Sequence, residues 1–228
     1  MSEGHPVFAA LYDWLGGAME RGWMGERRAR LLTEARGAVL EIGGGTGANL
    51  PHYRDVERVT VSEPDPFMRR RLRPKLGAAR VPIVVSEAGA EALPFPDGSF
   101  DTVVSTLVLC TVPDQRAALD EIRRVLRPGG RLLFIEHVRA EGSVARWQDR
   151  IEPLWSCLLG GCHPNRDTLA AIGAAGFEID WFDGFYPPVP LSRLTAHIPL
   201  RHVIGTARAP ASQRRARRPR GGYAPAPP

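Results

Sequence analysis

With 228 residues, 43% hydrophobic and 24% charged, the chain has the size and balance of one globular α/β domain with a sizeable core, and is short for two. Its net charge of +5 suggests a nucleic-acid or membrane binder, but five arginines (214, 215, 217, 218 and 220) sit in the last twenty residues with no acid, and the remaining 25 basic residues balance the 25 acidic ones. Three cysteines, 110, 157 and 162, argue against a disulfide framework and for a reducing, cytoplasmic setting; no long apolar run predicts a membrane span, and the N-terminus lacks the pattern of a signal peptide.

Residues 6–35 carry apolar side chains at helical spacing, from Phe8, Leu11 and Leu15 through Trp23 and Met24 to Leu31 and Leu32, interrupted by Gly16, Gly17 and Gly22. This predicts two or three short helices ahead of the sheet. They form either a packed covering layer or a lid over a ligand, the lid being suggested by Tyr12, Trp14 and Trp23. Next comes Val39-Leu40-Glu41-Ile42-Gly43-Gly44-Gly45-Thr46-Gly47, an apolar strand that ends beside an acid and enters a glycine-rich turn. Glycines let a ligand reach the main chain, and the following turn offers free N–H groups, so the stretch reads as a nucleotide-type site. Taken as Gly43, Gly45 and Ala48, it also meets a loose dinucleotide fingerprint.

Strand-like runs then alternate with helical ones. Strands are predicted at 39–42, 58–62, 83–86, 102–108 and 132–138, with helices near 46–51, 66–76 and 114–127. Helices near 143–159 and 164–175 follow, the second capped by Gly176, and strands near 177–182 and 201–207 close the domain. Such alternation calls for a doubly wound α/β fold on a mostly parallel sheet. Tyr186-Pro187-Pro188-Val189-Pro190 is predicted irregular, because proline cannot donate to a ladder. The tail from Ala209 is rich in Pro, Arg and Gly and is expected to be disordered. The resulting layout is a helical cover at 1–36, an enzyme-sized domain at 37–208 and the tail at 209–228.

Glu63 ends the second strand 22 residues beyond Glu41, where an acid can accept both hydroxyls of a ribose held on the glycine turn. Further on come AEALPFPDGSFD (residues 90–101) and the VLRPGG stop (residues 125–130). With EIGGGTG and the acid after strand two, these motifs in this order resemble a class I S-adenosylmethionine-dependent methyltransferase of the kind called methyltransferase type 11, over about residues 37–208. The resemblance implies a Rossmann-like, seven-stranded, mostly parallel sheet with an antiparallel last strand, and S-adenosylmethionine as cofactor. Carried over motif by motif, the methionine end belongs to Glu41, Gly43, Gly45 and Gly47, and the ribose to Glu63 with Pro64 beside it. The adenine belongs to Ala90 and Glu91, and the edge facing the transferred methyl to Ser105, Thr106 and Leu107. One departure stands out: the family commonly has Asp before Ala-Glu, and this chain has Gly89, which leaves the adenine amino group to Glu91 or to main-chain groups.

A narrower resemblance rests on STLVLCTVPD, LRPGGRLLFIEHV, RWQDRIEPLW and GGCHPNRDT, which together look like the thiol methyltransferases, also called methyltransferase-like 7 proteins, and their bacterial relatives. Animal members carry an N-terminal hydrophobic anchor, and none is expected from this sequence. The resemblance implies a small lipophilic acceptor, a thiol for preference, with O- or N-methylation of a quinone, phenol, natural product or phospholipid headgroup as the alternative. His137, at the end of strand five, is the candidate base or else a packing residue of the pocket wall. Nucleic acid is not expected as a partner, since no base-reading motif follows strand four. No metal is expected either: Cys157, Cys162 and His163 lack the paired spacing of a zinc site, and Cys110 reads as a small apolar wall residue.

Overall fold

The computed structural model describes residues 22–187 and 200–211. Expectations for residues 1–21, for 188–199 and for the tail from 212 lie outside the described residues. Helix α1 (Trp23–Leu32) leads into β1 (Ala38–Ile42). Then follow β2 (Arg58–Ser62), α2 (Pro66–Leu72), β3 (Ile83–Ser86), β4 (Phe100–Thr106), α3 (Gln115–Val125), β5 (Leu126–His137), α4 (Gly142–Leu158), α5 (Thr168–Ala174), β6 (Glu178–Phe185) and β7 (His202–Arg208).

The seven strands form one sheet in the order β3-β2-β1-β4-β5-β7-β6. β1 through β5 pair parallel, and β7 runs antiparallel to both β5 and β6. The order reverses at β1, which lies between β2 and β4. That makes the carboxyl ends of β1 and β4 the switch point where open α/β sheets bind their ligands. Alternate residues feed two cores. Leu40, Ile42, Val103 and Phe134 pack with α3 and α5 on one face. Val39, Val61, Val104, Leu133 and Ile135 pack with α1 residues Met24, Leu31 and Leu32 on the other. Burial on both faces explains why the central strands read as continuous apolar runs rather than alternating ones.

Three local expectations need correction. The helix predicted near 46–51 is a run of turns ending in a single 3₁₀ turn, Leu50–His52. Gly47 is left-handed at φ 85° and Pro51 has no N–H to donate, so no α ladder fits between them. The helix predicted at 66–76 stops as α-helix at Leu72 and continues as a 3₁₀ segment, Arg73–Ala78, because Pro74 removes the next donor. The Leu126-Arg127-Pro128-Gly129-Gly130 stop is drawn into β5 as an irregularity: Phe100 faces Leu126, yet Thr102 already faces Arg131. Three of the helices begin on side-chain caps. Asp65, Asp114 and Asp167 each accept from an N–H in the first turn of α2, α3 and α5.

Candidate active site

The glycine turn leaves β1 with Gly43, Gly45 and Gly47 all at positive φ. A Cβ at 43 would strike Val108, one at 44 Val61, and one at 47 Leu72. At Gly45 it would meet nothing closer than a carbonyl at 4.0 Å, so this face of the turn is open to a ligand. Glu63, nearly buried at the end of β2, lies directly across. Its Oε2 accepts from the Gly45 N–H at 2.7 Å and its Oε1 from the Asp65 N–H at 2.8 Å. Burial raises its pKa, and those two N–H groups pull it back toward the charged form. Pro64 is exposed beside it, and its carbonyl accepts from Arg69.

Glu41 is set beneath the turn, wholly buried. It accepts from Asn49 Nδ2 at 3.0 Å and from the Tyr53 hydroxyl at 2.9 Å. Desolvation raises its pKa to about 7 against those bonds and the nearby charge of Arg28. Arg28, on α1 and also buried, donates to Asn49 Oδ1 at 2.9 Å and to Thr106 Oγ1 at 2.7 Å. Asn49 Nδ2 donates to Thr106 as well, at 3.0 Å. One polar network thus ties α1, the glycine turn and the end of β4 together. Arg28, Asn49 and Tyr53 are members that no sequence motif singles out. A buried arginine on an otherwise ordinary amphipathic helix carries no linear signal.

At the end of β4 the three predicted residues do different things. Ser105 Oγ donates to Glu136 Oε1 at 2.6 Å on one face, and Thr106 belongs to the Arg28 network on the other. Leu107, the only described non-glycine residue at positive φ, turns the chain sharply at 61°. Backbone strain at this point marks the place where the chain must bend around the sheet's active edge. The bend is held by Glu136, whose carboxylate also accepts from the N–H groups of Val108, Leu109 and Cys110, each at 3.1 Å. Burial pushes the Glu136 pKa up, and these four donors oppose it. Glu136 is a positioning residue that was legible only as the neighbour of His137.

On the other side of β1, Ala90 is buried and Glu91 is half-buried. Glu91 Oε1 is solvent-inaccessible and without a hydrogen-bond partner. A Cβ at Gly89 would stand 3.2 Å from Glu91 Oε2, so the glycine found there gives this carboxylate its room.

His137 ends β5 opposite His202 of β7, and their rings lie 4.3 Å apart between centroids. His202 stacks on Phe185 at 5.2 Å, and Trp23 of α1 meets both edge-on. Arg27 covers the Phe185 ring at 4.1 Å. Burial, then the neighbouring His137, lowers the His202 pKa to about 3, so its imidazole is neutral. Phe185 thus lies at this edge of the sheet. Trp181 lies further back on β6, where its indole donates to Glu34. His137 Nδ1 points at two sulfurs, Cys110 Sγ at 3.4 Å and Cys162 Sγ at 3.3 Å, which are 3.8 Å from each other. The contact between the thiols raises the Cys110 pKa and lowers that of Cys162. Arg166 donates to the carbonyls of Leu109 and Val112, and His163 pairs with Glu152.

Residues 40–134 match the model of a methyltransferase domain. Human thiol S-methyltransferase TMT1B is 40% identical over 174 residues, covering 73% of this chain and 71% of its own length. The chain belongs to the class I S-adenosylmethionine-dependent methyltransferases. Human thiol S-methyltransferase TMT1A is 41% identical over 146 residues, an alignment that spans 60% of that protein. The C-methyltransferase UbiE of ubiquinone and menaquinone biosynthesis from Shewanella sediminis is 33% identical over 202 residues and 79% of its length. Among solved structures, the geranyl diphosphate C-methyltransferase of Streptomyces coelicolor shares the fold, with a TM-score of 0.64 over 81% of this chain and 78% of that one at 17% identity. This methyltransferase uses S-adenosylmethionine, and its residues suit that cofactor. Gly45 leaves an open face, Glu63 keeps acceptor capacity beyond its two N–H bonds, and Glu91 offers a buried acceptor with no partner. No described helix is long and apolar enough to cross a membrane.

Proposed function

We propose that this methyltransferase transfers the methyl group to a small lipophilic thiol. The observation that carries the reading is the acceptor edge beyond β5 and β7. Trp23, Phe185 and a neutral His202 make an aromatic wall there, and His137 stands at its foot. Such a wall suits an apolar acceptor and offers little to a charged polymer. The thiol S-methyltransferase relatives at 40% and 41% identity support sulfur as the nucleophile.

When bound, the cofactor supplies an electrophilic methyl on a sulfonium and is left as S-adenosylhomocysteine. The protein must hold that methyl in line with the acceptor and keep water out. In our reading Gly43, Gly45 and Gly47 cradle the methionine end, with Glu41 stiffening the turn from below. Glu63 takes the ribose hydroxyls, and Pro64 borders them. Glu91 accepts from the adenine amino group, and Ala90 lines the ring. Ser105, Thr106 and Leu107 form the edge nearest the methyl. Free thiols ionise near pH 8.5 and thiolates are strong nucleophiles, so a sulfur acceptor asks for no dedicated base.

A second reading, methylation of a quinone or phenol, is favoured by the UbiE relatives, and there His137 is the base that takes the acceptor's proton. Labelled S-adenosylmethionine, offered with alkyl thiols, phenols, quinols, amines and phosphatidylethanolamine, separates the two. The thiol reading expects label in thioethers alone. Label confined to ring carbon or oxygen overturns it.

A further inference from the structure

Cys110, His137 and Cys162 come from three separate places in the chain: the bend after β4, the end of β5 and the loop after α4. Their ligand atoms lie 3.8 Å (sulfur to sulfur), 3.4 Å and 3.3 Å (each sulfur to Nδ1) apart. A tetrahedral zinc ion bonds sulfur at about 2.3 Å and nitrogen at about 2.0 Å, which puts two ligand sulfurs about 3.8 Å apart and sulfur and nitrogen about 3.5 Å apart. The triangle therefore already has the edges of a tetrahedral face. Cys110 is fully buried and Cys162 nearly so. The three side chains are also held from behind. Glu136 fixes the backbone of Cys110. The His163 N–H donates to the Cys110 carbonyl at 2.7 Å, binding the two loops together. Gln148 ties Val138, Ala140 and Pro164, which flank His137 and Cys162.

We propose that Cys110, His137 and Cys162 bind a soft divalent ion, zinc by ligand chemistry, at the acceptor edge of the methyltransferase. Two thiolates and a neutral imidazole are a zinc set, and binding releases to solvent any proton still held on sulfur. Three protein ligands are also the number that leaves a tetrahedral ion one open position. The open position takes an exogenous thiolate. This last clause rests on the thiol reading above, whereas the metal site does not.

Metal content is measured on the full-length, reduced protein, stripped with chelator and re-equilibrated with zinc or with cobalt(II). One zinc per chain is expected, together with thiolate-to-cobalt charge-transfer absorption and the visible bands of a tetrahedral cobalt site. Cys110→Ser, Cys162→Ser and His137→Gln each lose that equivalent, while Cys157→Ser, on the exposed side of α4, keeps it. Circular dichroism checks that each variant is folded. Should a variant fail to fold, the unmutated protein still decides: retention of less than about a tenth of an equivalent overturns the site. A Cys110–Cys162 disulfide recovered from protein kept with zinc and reductant overturns it too. For the open position, an added alkyl thiol should raise the cobalt charge-transfer band by roughly half, from two sulfur ligands to three. An unchanged band in a cobalt-loaded protein that still methylates thiols overturns the thiolate clause alone. A changed band without methylation overturns the thiol reading and leaves the metal site standing.

Discussion

The carboxylate of Glu63 has about four acceptor positions, and the Gly45 and Asp65 N–H groups occupy two of them, so the remainder suits two sugar hydroxyls. Bonds from hydroxyls to a charged carboxylate in a nearly buried site are worth more than neutral ones. Glu63→Ala should therefore weaken S-adenosylhomocysteine binding by roughly 10- to 150-fold, about 1.5–3 kcal/mol, in titration calorimetry. An unchanged Kd would remove Glu63 from the cofactor site. Glu91 permits a sharper experiment, because its unpartnered Oε1 requires a donor from the ligand. The native protein should prefer S-adenosylhomocysteine about tenfold or more over the analogue with oxygen in place of the adenine amino group, since the latter leaves the buried acceptor unmatched. Glu91→Gln, whose amide can donate, should shrink or invert that preference. Equal discrimination by both proteins would place the adenine elsewhere.

At the scale of elements, the strands were legible because both faces of the sheet are buried, and an uninterrupted apolar run such as Leu132–Ile135 announces that arrangement. The helix end at Gly176 was legible from its capping chemistry. What failed was local competition. Pro51 and Pro74 each remove one donor, and that decides between α and 3₁₀ where apolar spacing says nothing. The glycine turn and Glu63 were readable because they end adjacent parallel strands joined by one short connection. By contrast, Cys110 and Cys162 lie 27 and 25 residues from His137, and no spacing rule joins them. Glu136 and the His163 N–H hold Cys110 in place, and the segments that carry His137 and Cys162 are joined to α4 through Gln148. Its amide accepts from Ala140 N–H at 2.8 Å and donates to the carbonyls of Val138 and Pro164, both at 3.1 Å, with no exposure to water. Gln148→Ala strands three buried backbone groups, so a loss of about 2–4 kcal/mol in urea unfolding is expected. The matching fall in Tm is about 2–4 °C per kcal/mol for a chain of this length. A loss below about 0.5 kcal/mol would mean that water replaces the amide and that α4 docks without it.

Over the whole molecule, burying carboxylates under the sheet's active edge makes stability depend on pH in a direction unusual for acids. Glu41 titrates near 7 in the fold against 4.5 for an ordinary glutamate, because desolvation outweighs its bonds to Tyr53 and Asn49. Between those values the folded protein retains a proton that the unfolded chain has lost. Stability from this group is therefore complete below about pH 4.5, declines as pH rises toward 7, and is level above it. A shift of this size corresponds to about 3 kcal/mol at most. Glu136 and Glu63 act in the same sense, both raised by burial. His202 acts in the opposite one: its folded value near 3 means that the unfolded chain gains a proton first as pH falls below about 6.5, so acid costs stability there. The raw pH profile mixes the two, and a difference between proteins isolates one. Glu41→Gln keeps the shape and a partner for Tyr53 and Asn49 but cannot titrate. Unfolding free energies of both proteins, measured in urea from pH 4.5 to 8.5, should diverge in favour of the variant by about 1–3 kcal/mol as pH rises to 7 and then run parallel. A difference that stays constant with pH would show that Glu41 keeps one protonation state throughout. The charge on Arg28 would then outweigh desolvation in setting the state of the acid beneath the glycine turn.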